Sequence, residues 1–538
     1  MFLKNIVWSE SLRKYLPCFV IVLAVLIAYF NVYSNSFLWD DEFLIVKNRF
    51  IRSFEYLPQI FTLPSGAGAN RIDNFYRPIQ IFSYLIIYKL FGLSNFAFHF
   101  LNVFLHVLNA IILYVILKKL FNNRVAFLTA LFWAIHPVHT EAITYMSGTA
   151  DPLSFLFMLI AFLNYLSFKE KSSIKHLIIS VIFFTLALMS KETAIIFPLV
   201  LLLYEKFILL KKQKRIKFSS MIRSFLFTTP LFFVSAIYFI LRLTVLNFGN
   251  TLNLYSTENI YTQHLSYRLY TFIATLPHYF SFIFYPVHLH MERSFPIFIS
   301  ILSKEVLVPL IVIIAVVLTL FFALFKNHKQ ENNPFYLGIL FGILWFFIFM
   351  IPFSGIIPAN SIILEHWLYV PSIGIFLSLA LFLEKLFYRI LDKKLLYLLI
   401  FAIACILVIL TINQNALWKD PIVFYNNILK YEEGTARVHN NLAMAYADLG
   451  RLDLAEEHYL KAINISDSYA ETHYNLARLY LQQNKTRDAI IHLERSIEIN
   501  PSFFYSYYLL SQIYASLGLT ELSNEYLKKA QSLEFYCG

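Results

Sequence analysis

Long apolar runs separated by short polar stretches fill the first 413 residues of the chain. The runs are roughly 18 to 22 residues long, the length a helix needs to cross about 30 Å of hydrocarbon. They predict an all-α, polytopic transmembrane domain over residues 1–413. Its eleven predicted spans are residues 15–33, 96–117, 125–142, 151–168, 176–189, 193–209, 222–246, 305–325, 335–353, 366–387 and 395–412.

Two further apolar segments, 78–92 and 268–287, carry interrupting polar residues and proline, among them Gln80, Lys89 and Pro286. If only one of them crossed the membrane, the basic clusters between the other runs would no longer all lie on the cytoplasmic side. We interpret both as interfacial or re-entrant helices on the outer side of the membrane. The alternative is a pair of short crossings.

The last part of the chain repeats itself with a period of 34 residues. Leu442, Ala443 and Tyr446 recur as Leu476, Ala477 and Tyr480 and again as Leu510, Ser511 and Tyr514. Small residues where two helices touch, at this period, are typical of tetratricopeptide repeats. The pattern predicts a repeat domain over residues 414–538, with repeats at about 436–469, 470–503 and 504–537. Such repeats form a concave surface that binds a polypeptide or partner; the alternative is a structural lid on the membrane domain.

The chain has a net charge of +11, although only 14% of its residues are charged. Its basic residues stand in short clusters between apolar runs, as in cytoplasmic loops. No stretch pairs basic residues with base-stacking aromatics outside the membrane, which argues against a nucleic-acid partner. We therefore expect an inner (cell) membrane protein with a cytoplasmic N-terminus, the endoplasmic reticulum membrane being the alternative. Loops 34–95, 136–151 and 354–366 and the repeats are expected on the outer side.

Three acids stand together in the first outer loop: Asp40, Asp41 and Glu42 follow Trp39. Adjacent carboxylates raise the pKa of one another, so they persist where a cation, a metal or a proton transfer needs them. The alternative is a helix N-cap, in which one of the aspartates accepts hydrogen bonds from free backbone amides.

Further polar residues of the outer face are candidates for substrate binding. His136, His139 and Glu141 have the residue types of a zinc site, but proline interrupts the sequence and the HExxH pattern is missing. Structural hydrogen bonds or contacts to a sugar are the other interpretation. Glu365 and His366 stand at the start of another predicted span, beside Tyr369.

Cations accompany these acids at the membrane surface. Arg77, Lys191 and Arg242 are suited to bind phosphate oxygens, and Glu192 follows Lys191 directly. Snorkelling at helix ends is the alternative for each arginine. A carboxylate base beside phosphate-binding cations fits a lipid-phosphate donor.

The ordered set of these segments resembles the GT-C glycosyltransferases, in particular the transmembrane and tetratricopeptide-repeat O-mannosyltransferase-like proteins and their bacterial relatives. The resemblance covers nearly the whole chain. It is carried by FLWDDEFLI, YRPIQIFSYLIIYKLFG, HPVHTEAITYMSGTADPLS, LALMSKETAIIFPLVLLLYE, EHWLYVPSIG and the repeats. It implies transfer of a hexose, mannose or a related sugar, from a polyprenyl phosphate to Ser or Thr hydroxyls of exported polypeptides.

The resemblance also implies roles for individual residues. Asp40 maps to the catalytic base and Asp41 to the neighbouring acid, with inversion at the sugar carbon. Arg77, Lys191 and Arg242 are the candidates to stabilise the leaving phosphate. We expect no cofactor, although the acidic pair could also hold a divalent metal. The chain departs from the family at Thr149 and His366, where relatives often have arginine.

Two other functions stay open at this point. A GT-C transferase that modifies a lipid or a cell-wall glycan would have a similar membrane site. A non-catalytic scaffold or a transporter is the second alternative, but a transporter would show repeats within the membrane part. The tetratricopeptide repeats favour a polypeptide acceptor, because a concave groove suits an extended chain.

Overall fold

The computed structural model describes residues 10–71, 73–212, 218–248, 260–326, 334–358, 361–389 and 393–534. Within these ranges every regular element is helical, which agrees with the predicted fold class. The α-helices are α1 Glu10–Ala28, α2 Leu57–Thr62, α3 Pro78–Phe91, α4 Asn95–Leu120, α5 Asn123–Ala134, α6 Thr140–Ile143, α7 Ala150–Lys171, α8 Ile174–Ser190, α9 Phe197–Lys212, α10 Phe218–Leu243, α11 Ile260–Gln263, α12 Leu265–Phe284, α13 Lys304–Lys326, α14 Pro334–Met350, α15 Ser372–Arg389, α16 Lys393–Ala416, α17 Pro421–Leu429, α18 Ala436–Asp448, α19 Leu452–Ile465, α20 Ala470–Gln482, α21 Thr486–Ile499, α22 Phe504–Ser516 and α23 Thr520–Glu534.

The chain divides into two compact units, Met1–Ala416 and Leu417–Gly538. In the described part of the first unit, six helical segments are long and apolar enough to cross a membrane. They are Asn95–Leu120, Met146–Lys171, Glu192–Lys211, Ile222–Leu243, Pro334–Phe353 and Lys393–Ala416. Large apolar side chains cover much of their outer surface, which is expected where lipid rather than water is the solvent. The chain is an integral membrane protein.

All eleven predicted spans overlap helices, but three of them differ by five residues or more at an end. Helix α1 ends at Ala28 rather than at residue 33. Helix α5 stops at Ala134, before the predicted end at residue 142, and a 3₁₀ turn begins at Pro137. Proline has no N–H for a helical hydrogen bond, so the run cannot continue as one helix. Helix α15 begins at Ser372 rather than at residue 366, because Pro371 disfavours helical backbone in the residue before it.

The two interrupted segments, predicted as 78–92 and 268–287, form helices α3 and α12. Helix α3 has 14 residues and would extend only about 21 Å. That length is short of the hydrocarbon thickness. Whether either helix crosses or lies at the surface stays a prediction.

Helix α4 carries a stripe of buried polar side chains inside an otherwise apolar sequence. His99, Asn102, His106 and Asn109 are each at most 1% exposed and recur every three or four residues, so they share one face. His106 bonds the hydroxyl of Tyr369 (2.8 Å), and Asn109 donates to the same hydroxyl (3.2 Å). Buried polar groups in a membrane helix need such partners. The stripe therefore fixes how the neighbouring segments pack against α4.

In the described part of the second unit, α17 is followed by the helix pairs α18–α19, α20–α21 and α22–α23. Gly450, Asn484 and Gly518 lie 34 residues apart, and each has a positive φ, of 73°, 60° and 75°. Each closes the first helix of its repeat in the left-handed region, which glycine and asparagine adopt most readily. Ala455 and Ala489, fully buried, allow the two helices of a pair to approach.

Candidate active site

Asp41, in the loop that follows α1, is buried, with 1% of its surface exposed. One carboxylate oxygen accepts hydrogen bonds from the backbone N–H and the hydroxyl of Ser147, at 2.7 and 2.5 Å. The other accepts from the N–H of Leu38 at 2.9 Å. Burial raises the pKa of Asp41 to about 7, the charge of Asp40 adds to the increase, and the three donors oppose it. Asp41 therefore fixes the loop.

Asp40 has a different environment from its neighbour. Its side chain is 40% exposed, and one carboxylate oxygen accepts a hydrogen bond from Nη1 of Arg71 at 2.9 Å. Its backbone N–H donates to the hydroxyl of Tyr145 at 2.8 Å. Trp39, directly before it, has a φ of 54°, a conformation that costs a non-glycine residue about 1–3 kcal/mol. The backbone conformation at Trp39 places the two adjacent carboxylates in different surroundings. Asp40 is the more accessible of the two.

Asn102 of α4 holds the segment against which Asp41 rests. Its amide donates to the carbonyls of Ile143 and Tyr145 at 3.2 and 2.9 Å. Its carbonyl oxygen accepts from the hydroxyl of Thr149 at 2.5 Å. Ser147, the partner of Asp41, lies in this same segment, so the polar stripe of α4 determines the position of the acidic loop.

The predicted cations Arg77 and Lys191 each pair with a carboxylate. Arg77 binds Glu192 through two hydrogen bonds, at 2.6 and 3.0 Å. Lys191 contacts both carboxylate oxygens of Asp151 at 2.7 Å, and 5% of the lysine side chain and 11% of the aspartate side chain are exposed. Buried ions of opposite charge are stable together because each compensates for the lost hydration of the other.

Arg242 differs from these two cations. Its guanidinium donates to two backbone carbonyls, those of Leu246 at 2.8 Å and Asn74 at 2.5 Å. Among the residues that the structure describes, no carboxylate forms an ion pair with it. It is 9% exposed, so its positive charge is largely buried.

Charges of alternating sign connect the acidic loop with the cations. Arg71, paired with Asp40, also acts electrostatically on Asp73, and so does Arg77. Arg77 in turn interacts with Glu192 and Asp151. The structure thus brings together the predicted residues Asp40, Asp41, Arg77, Lys191 and Glu192 in one electrostatic network. Arg242 adjoins this network through its hydrogen bond to the carbonyl of Asn74, the residue after Asp73.

The other predicted residues form a second polar cluster. Glu141 accepts from the backbone N–H of His366 at 2.9 Å and bonds its Nδ1 at 2.7 Å. Glu365 accepts from Nη2 of Arg293 at 2.5 Å and from the N–H of His290 at 2.7 Å. Burial raises the pKa of Glu365, and the charge of Glu141 adds to that effect. Both acids have protein partners that fix the surrounding loops.

His136 and His139 do not converge with Glu141 on one point. Nε2 of His136 bonds the carbonyl of Ile283 at 2.9 Å. The ring of His139 packs between Trp133 and Tyr369, at centroid distances of 5.3 and 5.2 Å. In the part of the chain that the structure describes, His136 therefore forms a structural hydrogen bond and His139 packs among aromatic rings.

Sequence reasoning missed several residues of the site: Arg71, Asp73, Tyr145, Ser147 and Asn102. The sequence did carry a signal for Asn102, since polar residues at helical spacing in an apolar run indicate a helix face that binds a ligand or holds other segments by hydrogen bonds. Arg71 gave no such signal, because nothing local connects it with Asp40, which lies 31 residues earlier in the chain.

Residues 78–239 match the family described as dolichyl-phosphate-mannose-protein mannosyltransferase. Residues 434–502 and 474–533 match the tetratricopeptide repeat family. Over most of its length, the chain resembles protein O-mannosyl-transferases. The resemblance stated from the sequence is thereby confirmed.

Two relatives and one solved structure illustrate the extent of the likeness. A protein O-mannosyl-transferase of Caenorhabditis elegans is 26% identical over 476 residues, which cover 86% of this chain and 64% of the relative. Human protein O-mannosyl-transferase TMTC3 is 23% identical, with 83% and 51% covered. The chain thus spans between half and two thirds of the length of these relatives. The structure of ArnT from Cupriavidus metallidurans bound to undecaprenyl phosphate aligns with 12% identity and a TM-score of 0.41, covering 96% of this chain and 78% of ArnT.

Proposed function

We propose that this protein is a membrane glycosyltransferase that moves a hexose, with mannose as the first candidate, from a polyprenyl phosphate to hydroxyl groups of exported polypeptides. The match of residues 78–239 to mannosyltransferases of the dolichyl-phosphate-mannose type supports the sugar and the lipid carrier. The names of the relatives support a protein acceptor. The active site and the repeats face the outer, periplasmic side in this proposal.

The observation that supports the proposal most strongly is that two adjacent aspartates, Asp40 and Asp41, lie in different environments. Asp41 is buried and accepts hydrogen bonds from three donors, whereas Asp40 is 40% exposed and pairs with Arg71. A general base must be accessible to the substrate and fixed in position. Asp40 is the carboxylate of the pair that meets these conditions.

In the proposed reaction Asp40 takes the proton of an acceptor hydroxyl while the hydroxyl oxygen attacks the anomeric carbon. The bond from that carbon to the phosphate oxygen breaks, and the polyprenyl phosphate leaves with one more negative charge. A single displacement inverts the anomeric centre. Cations directed at the leaving oxygen stabilise the transition state most, since that is where charge develops.

Arg242 is the first candidate for contact with this phosphate. Its charge is buried and its partners are backbone carbonyls, so it gains most from an anionic ligand. Arg77 and Lys191 support it from their ion pairs with Glu192 and Asp151. These pairs keep the net charge of the site low, so release of the lipid phosphate is not prevented.

We propose that transfer requires no bound metal. Asp41 uses its oxygens for protein donors, and Asp40 faces Arg71, so the two carboxylates do not point at a shared ion. Transfer is therefore expected to continue in the presence of a chelator. A loss of activity with EDTA that a divalent cation restores would contradict this part.

The test is transfer of radiolabelled mannose from polyprenyl-phosphate mannose by the purified full-length protein in detergent. Extracted periplasmic polypeptides, lipids and cell-wall glycan are offered together, and the label in each fraction is measured. Label in the polypeptide fraction, released by base-catalysed elimination from Ser or Thr, supports the proposal. Label in the lipid or glycan fraction would show that the acceptor is a lipid or a glycan rather than a polypeptide. No label in any fraction, with several sugars tried, would favour a non-catalytic function.

A further inference from the structure

Arg71 makes the contact that holds the carboxylate of Asp40. Its Nη1 donates to Oδ1 of Asp40 at 2.9 Å, and the two side chains are 46% and 40% exposed. Among the residues that the structure describes, no hydrogen bond reaches the other carboxylate oxygen, Oδ2. One oxygen of Asp40 is therefore held by a cation, and the other is left available to a substrate.

The guanidinium of Arg71 also packs on an aromatic ring of the acidic loop. Its central carbon lies 4.6 Å from the centroid of the Phe43 ring. A cation over the face of such a ring is attracted to it electrostatically. The backbone N–H of Phe43 donates to the carbonyl oxygen of Asp40 at 3.0 Å, so the ring and the carboxylate belong to one turn of the chain. The acidic loop thus contacts the guanidinium at two points.

Residues 65–71, which we call the glycine turn, carry Arg71 to the acidic loop. The N–H of Ser65 donates to the carbonyl oxygen of Phe75 at 2.9 Å. The N–H of Arg71 donates to the carbonyl oxygen of Gly66 at 3.1 Å. Asn70 has a φ of 56°, in the left-handed region that asparagine adopts more readily than most residues. Backbone hydrogen bonds therefore close the turn at both ends.

Two glycines make this turn compact. A Cβ atom at Gly66 would overlap Oδ2 of Asp73 and lie 3.0 Å from the carbonyl oxygen of Arg71. A Cβ atom at Gly68 would overlap the side chain of Asn48, which is fully buried. Exposed ion pairs are usually weak because two flexible side chains must be ordered to form them. Here the backbone that carries the arginine is itself held, so less ordering is required.

We propose that Arg71 is a positioning residue for sugar transfer: it holds Oδ1 of Asp40, so that Oδ2 is the oxygen that takes the proton of the acceptor hydroxyl. The O–H bond of the acceptor breaks, its oxygen keeps the electron pair and attacks the anomeric carbon, and the polyprenyl phosphate leaves. A carboxylate displaced by about 1 Å would lose about 100-fold in rate. The glycine turn sets the position of Arg71 and thereby that of Asp40. This role rests on the proposed function.

The first measurement is the kinetics of mannose transfer by the full-length protein in detergent. Arg71→Met is expected to lower kcat by about 10–100-fold and to leave KM for polyprenyl-phosphate mannose unchanged, because the base is misplaced while donor binding is not affected. Arg71→Lys keeps the charge without the planar guanidinium and should recover part of the loss. In an Asp40→Asn background, Arg71→Met should have no further effect, since Arg71 acts through Asp40.

A substitution in the glycine turn gives an independent variant with matched controls. Gly66→Ala should lower kcat as Arg71→Met does, because the added Cβ displaces the turn. Arg49→Met should leave kcat unchanged: Arg49 is exposed and lies over the ring of Phe50 at 5.6 Å, but it forms no ion pair with any residue that the structure describes. Gly434→Ala should also be neutral, because no atom lies within 4 Å of the added Cβ. Equal melting temperatures show that the variants are folded.

A second measurement needs no sugar transfer and so separates the two proposals. Carbodiimide labelling of carboxylates, followed by mass spectrometry, compares Asp40 with Glu42, which pairs with Lys47 at 2.9 Å. In Arg71→Met, Asp40 should react about threefold faster, the scale of an exposed ion pair, and Glu42 should react as before. That result without sugar transfer by the unmodified protein would contradict the proposed function but support the contact between Arg71 and Asp40. Unchanged labelling of Asp40, or an unchanged kcat in Arg71→Met, would overturn the role of Arg71.

Discussion

Burial raises the pKa of Asp41 and the hydrogen bonds from Ser147 oppose that increase, so Ser147 offers a direct test of how the acidic loop works. Its hydroxyl donates to the buried carboxylate at 2.5 Å, and its backbone N–H donates at 2.7 Å. Ser147→Ala removes only the hydroxyl donor. A hydrogen bond to a charged group contributes about 1.5–3 kcal/mol, and 1.36 kcal/mol corresponds to one pH unit. The variant should therefore raise the pKa of Asp41 by about 1–2 units above its value of about 7.

The sign of the effect on activity follows from the role of Asp41. Its ionised form accepts all three hydrogen bonds that fix the loop, so transfer should increase as pH rises through about 7. In Ser147→Ala the midpoint of this increase should move up by about 1–2 pH units. The assay is kcat/KM for mannose transfer between pH 5.5 and pH 9.

The matched control is Ser154→Ala. Ser154 is also buried, but its hydroxyl donates to the carbonyl of Ala187 and does not contact the acidic loop. Its pH profile should coincide with that of the unmodified protein. An unshifted profile in Ser147→Ala, or an equal shift in both variants, would refute the reasoning about Asp41.

Three further predictions concern the supports of the site and of the repeats. Lys191→Met leaves the buried carboxylate of Asp151 without its cation, which should destabilise the protein by about 3–5 kcal/mol. The measurement is the melting temperature in detergent, which should fall in Lys191→Met and partly recover when Asp151→Asn is added. Asn102→Ala removes the amide that holds the segment of Ser147, so we expect a loss of about 1–3 kcal/mol in stability together with reduced kcat. Burial lowers the pKa of His439 and of His458, whose Nδ1 atoms are 2.9 Å apart. The unfolded repeats then bind more protons than the folded ones, so α18 and α19 should lose hydrogen-exchange protection as pH falls below about 6.5, and tyrosine at both positions should abolish that dependence.

Local patterns predicted most of the fold. An apolar run of sufficient length specifies a membrane helix by itself, and the 34-residue period repeats the same helix pair in each repeat. The ends of α5 and α15 deviated because Pro137 and Pro371 interrupt runs whose average hydropathy stays high. Proline interrupts a helix by removing a hydrogen bond and changes the average hydropathy little, so the length of an apolar run does not show where the helix ends.

The candidate site was less accessible to sequence reasoning, because its pairs join distant parts of the chain. Arg77 and Glu192 are 115 residues apart and Lys191 and Asp151 are 40 apart. The residue types indicated a carboxylate beside cations, but not which carboxylate is buried. That distinction depends on Ser147, whose contact with Asp41 exists only once α4 and the loops have folded.

The central claim is that Asp40 is the base, and the most direct test compares it with its neighbour Glu42. The two side chains are equally accessible, at 40% and 39%, and each pairs with one cation, Arg71 or Lys47. The measurement is the turnover of mannose transfer by Asp40→Asn and Glu42→Gln, purified in parallel and matched for melting temperature. Loss of a general base lowers the rate by about 10²–10⁴. The account predicts that loss for Asp40→Asn and near-normal turnover for Glu42→Gln, whereas near-normal transfer by Asp40→Asn would contradict it.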